Sequence, residues 1–139
     1  MFGCQKAYKW GNSTNGAVDI QSSKRGQKMW VFTESGFVSA IRHHSEAGKL
    51  VVRARDYKSL EGLANAIGLD IEPSPGRDYP YRVFIDDSTF ATWLSKQVMG
   101  VNYTNYKNHM EVTRGHDFTG ALHNVWSTMR QVEDDDARQ

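Results

Sequence analysis

Two arginines alternate with apolar residues in the stretch KLVVRARDY, which spans residues 49–57. Because side chains alternate across a β-strand, Arg53 and Arg55 should lie on the face opposite Ala54. Guanidinium groups bind phosphate and carboxylate oxygens through two parallel hydrogen bonds. The spacing therefore predicts a strand whose arginine-bearing face is suited to a small anion.

A second stretch, YPYRVFIDD, adds residues of the same kind. Arg82 and Phe84 should share one face, and an aromatic ring beside arginines can stack a nucleic-acid base. The proline-restricted loop before this strand and a basic, tyrosine-rich segment further along supply more residues suited to an anion or a base. The candidate ligand-binding residues are Arg53, Arg55, Arg77, Tyr79, Arg82, Phe84 and Lys107.

A sheet that helices cover on one side also has an ordinary polar outer face. On that interpretation the arginines pair with Asp56, Asp86 or Glu34 and hold no ligand. Likewise, Tyr103 and Tyr106 have the spacing of core residues on a helix, and the loop residues are typical of turns. The sequence leaves both interpretations open.

The five histidines form no pattern that predicts a catalytic or metal site. His43 and His44 are adjacent in a strand or turn, so their side chains should point in opposite directions. His116 and His123 fall on one predicted helix, about 10 Å apart along its axis. P-loop, G-x-S-x-G and G-x-G-x-x-G motifs are also missing from the sequence. We predict no catalytic residue, metal ligand or cofactor, and a hydrolase or nuclease that uses a histidine is the weakest alternative.

Composition describes a small protein with one core. The chain has 139 residues, 39% of them hydrophobic, and a single cysteine that cannot form an intramolecular disulfide. No apolar run reaches the roughly 20 residues of a membrane helix, and the first residues lack the apolar segment of a secretion signal. We therefore expect one soluble, cytoplasmic domain that does not bind a membrane.

Charge is unevenly distributed although the formal net charge is only +1. Residues 1–28 form a basic arm rich in Gly, Ser and Asn, residues 29–132 the globular domain, and residues 133–139 an acidic tail. The globular region has equal numbers of acidic and basic residues, which argues against a domain that grips long duplex DNA. Aromatic residues in the arm make it a candidate for contact with a protein partner, and the oppositely charged ends are compatible with a homo-oligomer.

The strands that position the arginines follow from local patterning. The run MWVFTESGFVSAIRHH is rich in aromatic and β-branched residues and predicts a first strand that bulges near Gly36. A turn joins it in a hairpin to the strand that contains Arg53. LDIE predicts a short additional strand that Pro73 ends, and YPYRVFIDD predicts the clearest of the strands that follow.

Helices fill the remainder of the chain. Apolar spacings of three and four residues predict them over SLEGLANAIG, TFATWLSKQVMG and TNYKNHMEVTRG, and from Asp117 onward. Their apolar faces need a surface, and one face of the sheet is the simplest one. The predicted fold is a single α+β domain in the order ββαβ(β)αα, with a mainly antiparallel sheet of three or four strands and two or three helices on one face.

The succession MWVFT..GFVSAI, VVRARD...LEGL, DYPYRVFI, YTNYK and ALHNVWSTM resembles an uncharacterised family of short bacterial and phage proteins. The resemblance covers about residues 29–130, and Tyr106 stands where the pattern has Phe. It implies a complete single domain, and it implies no substrate, partner or catalytic residue.

These observations favour a non-enzymatic binding protein. Its ligand would be a small anion, such as a nucleotide or a short single strand of nucleic acid, held on the arginine-bearing sheet face or the adjacent loop. The alternative is a protein-interaction module, such as a phage-type inhibitor of a host component, that acts through the arm, an aromatic surface or the acidic tail. Removal of residues 1–28 distinguishes the two, because a ligand site on the sheet should survive it.

Overall fold

The computed structural model describes the backbone of residues 28–137 and the side chains of residues 28–133. The predicted basic arm lies outside the described residues, except for Lys28, with which the first strand begins. The elements in chain order are β1 (Lys28–Thr33), β2 (Gly36–Arg42), β3 (Lys49–Ala54), α1 (Lys58–Ile67), β4 (Glu72–Pro73), β5 (Tyr81–Asp86), α2 (Asp87–Met99), α3 (Tyr106–Arg114) and α4 (His116–Ala137).

The strands form one antiparallel sheet in the order β1-β2-β3-β5-β4, and with four helices they confirm the predicted single α+β domain. The sheet has five strands rather than three or four, because the predicted bulged first strand is a hairpin. Thr33 pairs with Gly36 across a two-residue turn. Gly36 has φ +136°, and a side chain there would collide with the Ser59 hydroxyl and the Arg114 guanidinium. The glycine therefore marks the start of a second strand.

The main core lies between one face of the sheet and helices α1 and α2. Val52 and Val83 at the centre of that face are fully buried, as are Leu60 from α1 and Phe90 from α2. Full burial of such a side chain contributes about 1.5–3 kcal/mol to the free energy of unfolding. Gly68, with φ +73°, ends α1 in the left-handed conformation that glycine adopts without strain. Two helices thus pack on one face of the sheet, as predicted.

Helices α3 and α4 pack against each other rather than extending the layer on that face. Two side chains tie α3 to the β1–β2 turn: the Tyr106 hydroxyl donates to the Thr33 carbonyl at 2.8 Å, and the Arg114 guanidinium donates to the Ser35 carbonyl. The sheet face, the simplest surface predicted for the helices, therefore covers the apolar stripes of α1 and α2 but not that of α4. This helix continues through residues 133–137 of the predicted acidic tail. No helix between residues 28 and 137 is both long enough and apolar enough to cross a membrane.

Candidate functional site

The face of the sheet opposite α1 and α2 carries a row of residues that are paired across four strands. Trp30 lies opposite Ser39, Ser39 opposite Arg53, and Arg53 opposite Arg82. Neighbouring strands are about 4.8 Å apart, so the row from Trp30 to Arg82 spans about 14 Å. The alternation predicted for Arg53 and Arg82 is thus the one observed, and it brings the two guanidinium-bearing chains directly beside each other.

Arg53 and Arg82 form no ion pair within the described part of the chain. Arg53 donates one hydrogen bond to the Ser39 hydroxyl at 3.0 Å. The Nε atoms of both arginines are buried and have no hydrogen-bond partner among the described residues. Glu72 lies opposite Arg82 in the strand register, yet the two form no ion pair. The positive charge of this pair is therefore not neutralised by a neighbouring carboxylate.

Of the three carboxylates that an ordinary polar face would use, two are ion-paired with other residues and the third lies beside a histidine. Asp56 Oδ2 binds Arg114 Nη2. Asp86 Oδ1 lies 2.7 Å from Lys49 Nζ. Glu34 Oε2 lies 3.5 Å from His109 Nε2. The hydrogen bond from Lys49 to Asp86 raises the pKa of the lysine. The pairing that would make the arginines part of a neutral surface is therefore not observed for Arg53 or Arg82.

Electrostatics at Arg82 reflect this lack of compensation. Burial lowers the pKa of its guanidinium, and the nearby charges of Arg77 and Arg53 lower it further. Arginine stays protonated at neutral pH despite such shifts, so the three residues form a cluster of like charges. We call Arg53, Arg77 and Arg82 the arginine cluster. A bound anion would relieve their mutual repulsion.

Tyr79 supports two arginines rather than presenting its ring to a ligand. Only 4% of this residue is exposed. The guanidinium carbons of Arg53 and Arg55 lie 4.4 Å and 4.7 Å from its ring centroid, which is a cation–π arrangement. Arg55 also donates to the Asp78 carbonyl at 3.0 Å and pairs with the Asp78 carboxylate at 3.2 Å. Tyr79 is therefore too buried to stack a base, and Arg55 is already neutralised.

Exposed aromatic rings flank the arginine cluster. Phe84 is 39% exposed and makes an edge contact with the His43 ring, and Trp30, which is 65% exposed, lies on the other side. Phe32 and Phe37 continue the aromatic surface on the β1–β2 hairpin, with ring centroids 4.8 Å apart. Sequence reasoning missed Trp30, Phe32 and Phe37. The alternation of Trp30 and Phe32 along β1 was the available signal, but it could not be extended to Phe37 on β2 because the two strands were interpreted as one.

Lys107 is not part of this surface. Its ammonium lies 4.4 Å from the centroid of the Trp126 ring, at the contact between α3 and α4. Within the same tyrosine-rich segment, Tyr106 is half-buried, and burial raises the pKa of its phenol to about 12. The segment acts as the attachment of α3 to the β1–β2 turn, in agreement with the helix-core interpretation of its tyrosines.

The described histidines make contacts of their own and do not converge. His43 and His44 do not point in opposite directions as expected, because the chain leaves β2 at Arg42 and their rings stack with centroids 4.6 Å apart. The His43 ring nitrogen accepts a hydrogen bond from the Glu46 amide at 3.0 Å. Between residues 28 and 137, no group of three His, Cys, Asp or Glu residues is arranged to hold a metal ion.

Comparison of the chain with protein-family models, with curated proteins and with solved structures gives no match. The chemistry of the arginine cluster must therefore be inferred from its own geometry.

Proposed function

We propose that this chain is a binding protein that takes a small anionic ligand on the face of its sheet opposite α1 and α2, either a nucleotide or a short single strand of nucleic acid. The arginine cluster binds the phosphate groups, because guanidinium forks match phosphate oxygens in shape and charge. Phe84 and Trp30 stack bases on either side of it. Tyr79 and Arg55 act below the ligand, where they fix the position of Arg53.

One observation supports the proposal above all others. Arg53 faces Arg82 on the neighbouring strand, and neither forms an ion pair with a described side chain. Like charges directly opposite each other destabilise a strand pair, so the arrangement is unfavourable in the free protein. A phosphate group between the two guanidinium groups supplies the missing negative charge. Arg55, which has Asp78 as a partner, shows how an ordinary surface arginine is neutralised.

The distance between the Phe84 and Trp30 rings should distinguish a mononucleotide from a strand of several nucleotides. A nucleoside monophosphate held at Arg82 with its base on Phe84 leaves Trp30 unused. A strand of several nucleotides engages both rings, since Trp30 lies about 14 Å across the sheet from Arg82. Trp30→Ala should therefore weaken binding of a strand and leave binding of a mononucleotide unchanged. Loss of one stacked base costs about 1–3 kcal/mol of binding free energy.

The test is direct titration of the full chain. Fluorescence anisotropy with a labelled oligothymidylate of about ten nucleotides, within the usual range of site sizes, measures strand binding. Calorimetry with adenosine monophosphate measures nucleotide binding. Arg82→Gln should weaken either interaction about ten-fold, because it removes a charge-assisted hydrogen bond to phosphate. Arg130→Gln removes the same charge from α4 and should leave affinity unchanged.

Salt dependence provides the second readout. For single strands, the logarithm of the binding constant falls with the logarithm of salt concentration by about 0.7 per phosphate contacted. Three arginines predict a slope of about −2, and Arg82→Gln should reduce it by about 0.7. Absence of binding to both probes, or equal affinities of Arg82→Gln and the wild type, would rule out this function.

A further inference from the structure

A seam of apolar side chains runs along α4. Phe118, Leu122, Val125, Met129 and Val132 are separated by four, three, four and three residues. Such a repeat, 3.5 residues on average, is the spacing of the buried positions in a coiled coil. We call these five residues the α4 seam. Its spacing matches another helix better than it matches the flat surface of a sheet.

Only the first part of the α4 seam is covered by α3. Helix α3 has 9 residues and α4 has 22. At 1.5 Å per residue, their lengths are about 14 Å and about 33 Å, so α4 projects well beyond its neighbour. Leu122 is 6% exposed, whereas the exposed fractions of Val125, Met129 and Val132 are 44%, 59% and 54%. The C-terminal half of the α4 seam is therefore unpartnered within the described part of the chain.

We propose that a second copy of this chain covers this part of the α4 seam, with the two α4 helices packed antiparallel about a twofold axis. A coiled-coil spacing calls for a helical partner, and α4 of another copy presents the same seam at the same position. A twofold interface uses one surface patch on both copies, so a self-complementary seam is sufficient to form it. The exposed part of the α4 seam is separate from the arginine cluster, so this pairing does not depend on the ligand.

Charge determines the direction of the pair. The sequence Glu-Asp-Asp-Asp occupies residues 133–136, near the end of α4. A parallel pair would place two such acidic stretches side by side, which is unfavourable. Near the middle of the helix, Lys107 and Arg130 lie 4.4 Å and 5.4 Å from the Trp126 ring centroid, so this region is basic. An antiparallel pair brings each acidic stretch toward the basic region of its partner.

The pair should be weak because its exposed seam is short. Stable specific interfaces usually bury more than about 1,000 Å² in total, and about two turns of helix per copy provide less apolar contact than a long coiled coil. We therefore expect a monomer–dimer equilibrium that depends on protein concentration.

Sedimentation velocity of the full chain over a range of concentrations measures this equilibrium. Met129→Glu places a charge in the middle of the exposed seam and should weaken dimerisation at least ten-fold. Val112→Glu makes the same kind of change on α3, at a residue that is 88% exposed and outside the α4 seam, and should have no effect. Circular dichroism of both variants verifies that α4 remains folded. A monomer at every concentration, or equal dimerisation of Met129→Glu and the wild type, would overturn the proposal.

Disulfide trapping tests the direction of the helices. In a chain whose native cysteine is removed by Cys4→Ser, M129C and V132C are prepared as separate proteins and then mixed under oxidising conditions. An antiparallel pair that sets each acidic stretch beside residues 125–128 of its partner places position 129 against position 132 of the other copy, so the mixture should form heterodimers faster than either protein forms homodimers. Faster homodimer formation would contradict the antiparallel arrangement.

Discussion

Two arginine sites in this protein have opposite environments. Arg114 donates to Asp56 and the Ser35 carbonyl, and its guanidinium carbon lies 4.3 Å from the centroid of the Phe118 ring. Arg53 and Arg82, in contrast, face each other with no carboxylate partner among the described side chains. The two sites differ in one respect, which is whether the fold itself supplies an anion to the arginine.

The largest effect should come from breaking the compensated site. Arg114→Ala leaves the Asp56 carboxylate and the Ser35 carbonyl without their donor and removes the link between α3 and the β1–β2 turn. The Arg114 side chain is 11% exposed but that of Asp56 is 44% exposed, so we expect a loss of about 2 kcal/mol of unfolding free energy, between the values for exposed and fully buried pairs. Urea denaturation measures this loss.

The matched control is Arg42→Ala. Arg42 is also ion-paired, to Asp87, but the side chain of Arg42 is 57% exposed, against 11% for Arg114. Exposed pairs contribute about 0–1 kcal/mol, so this variant should be only slightly destabilised. If both variants lost the same amount of stability, burial would not be what distinguishes the Arg114 site.

A smaller effect is expected at the second attachment of α3. Tyr106→Phe removes the hydrogen bond to the Thr33 carbonyl and should cost about 1 kcal/mol at pH 8. Burial raises the pKa of this phenol from 10.0 to about 12, so the folded state retains the proton more tightly than the unfolded chain does. That contribution to stability is complete below pH 10 and is lost as the pH rises through about 12.

Denaturation at pH 8 and near pH 12 measures this dependence. The stability difference between the wild type and Tyr106→Phe should shrink at the higher pH. Tyr57→Phe, at a half-exposed tyrosine that immediately precedes α1, is the control for the general effect of alkaline pH. A difference that stayed constant across this range would contradict the raised pKa of Tyr106.

The smallest effect on stability should come from the uncompensated site. Arg82→Gln removes a charge that is repelled by Arg53 and Arg77, so we expect a change within about 0.5 kcal/mol or a slight gain. The same variant should lose ligand affinity, which would separate binding from stability at one residue. A loss of stability comparable to that of Arg114→Ala would show that Arg82 is structural.

Sequence patterns were sufficient to predict features that depend on a single strand or helix. Alternation was sufficient to place Arg53 and Arg82 on one face, and apolar spacing was sufficient to predict α4. It was insufficient for Arg114, because its partners Asp56 and Ser35 are 58 and 79 residues away in the chain. The surface that covers α4 could not be predicted for the same reason, because periodicity identifies an apolar face of a helix but does not identify what packs against it.

The hairpin that replaces the predicted bulged strand depends on the same kind of information. A glycine in an apolar run is compatible with a bulge or with the end of a turn. The outcome at Gly36 was decided by Ser59 and Arg114, whose side chains occupy the space that a Cβ would need. Because both residues are distant from Gly36 in the sequence, the local pattern could not predict this contact.

The two edges of the sheet are unequal in a way that bears on aggregation. At one edge, β4 has only two residues, and one of them, Pro73, has no N–H to offer an incoming strand. At the other edge, β1 has six residues and pairs only with β2 among the described strands. Short, proline-containing edges prevent a sheet from growing by addition of further strands. Any misassembly between partly folded copies through strand addition should therefore start at β1.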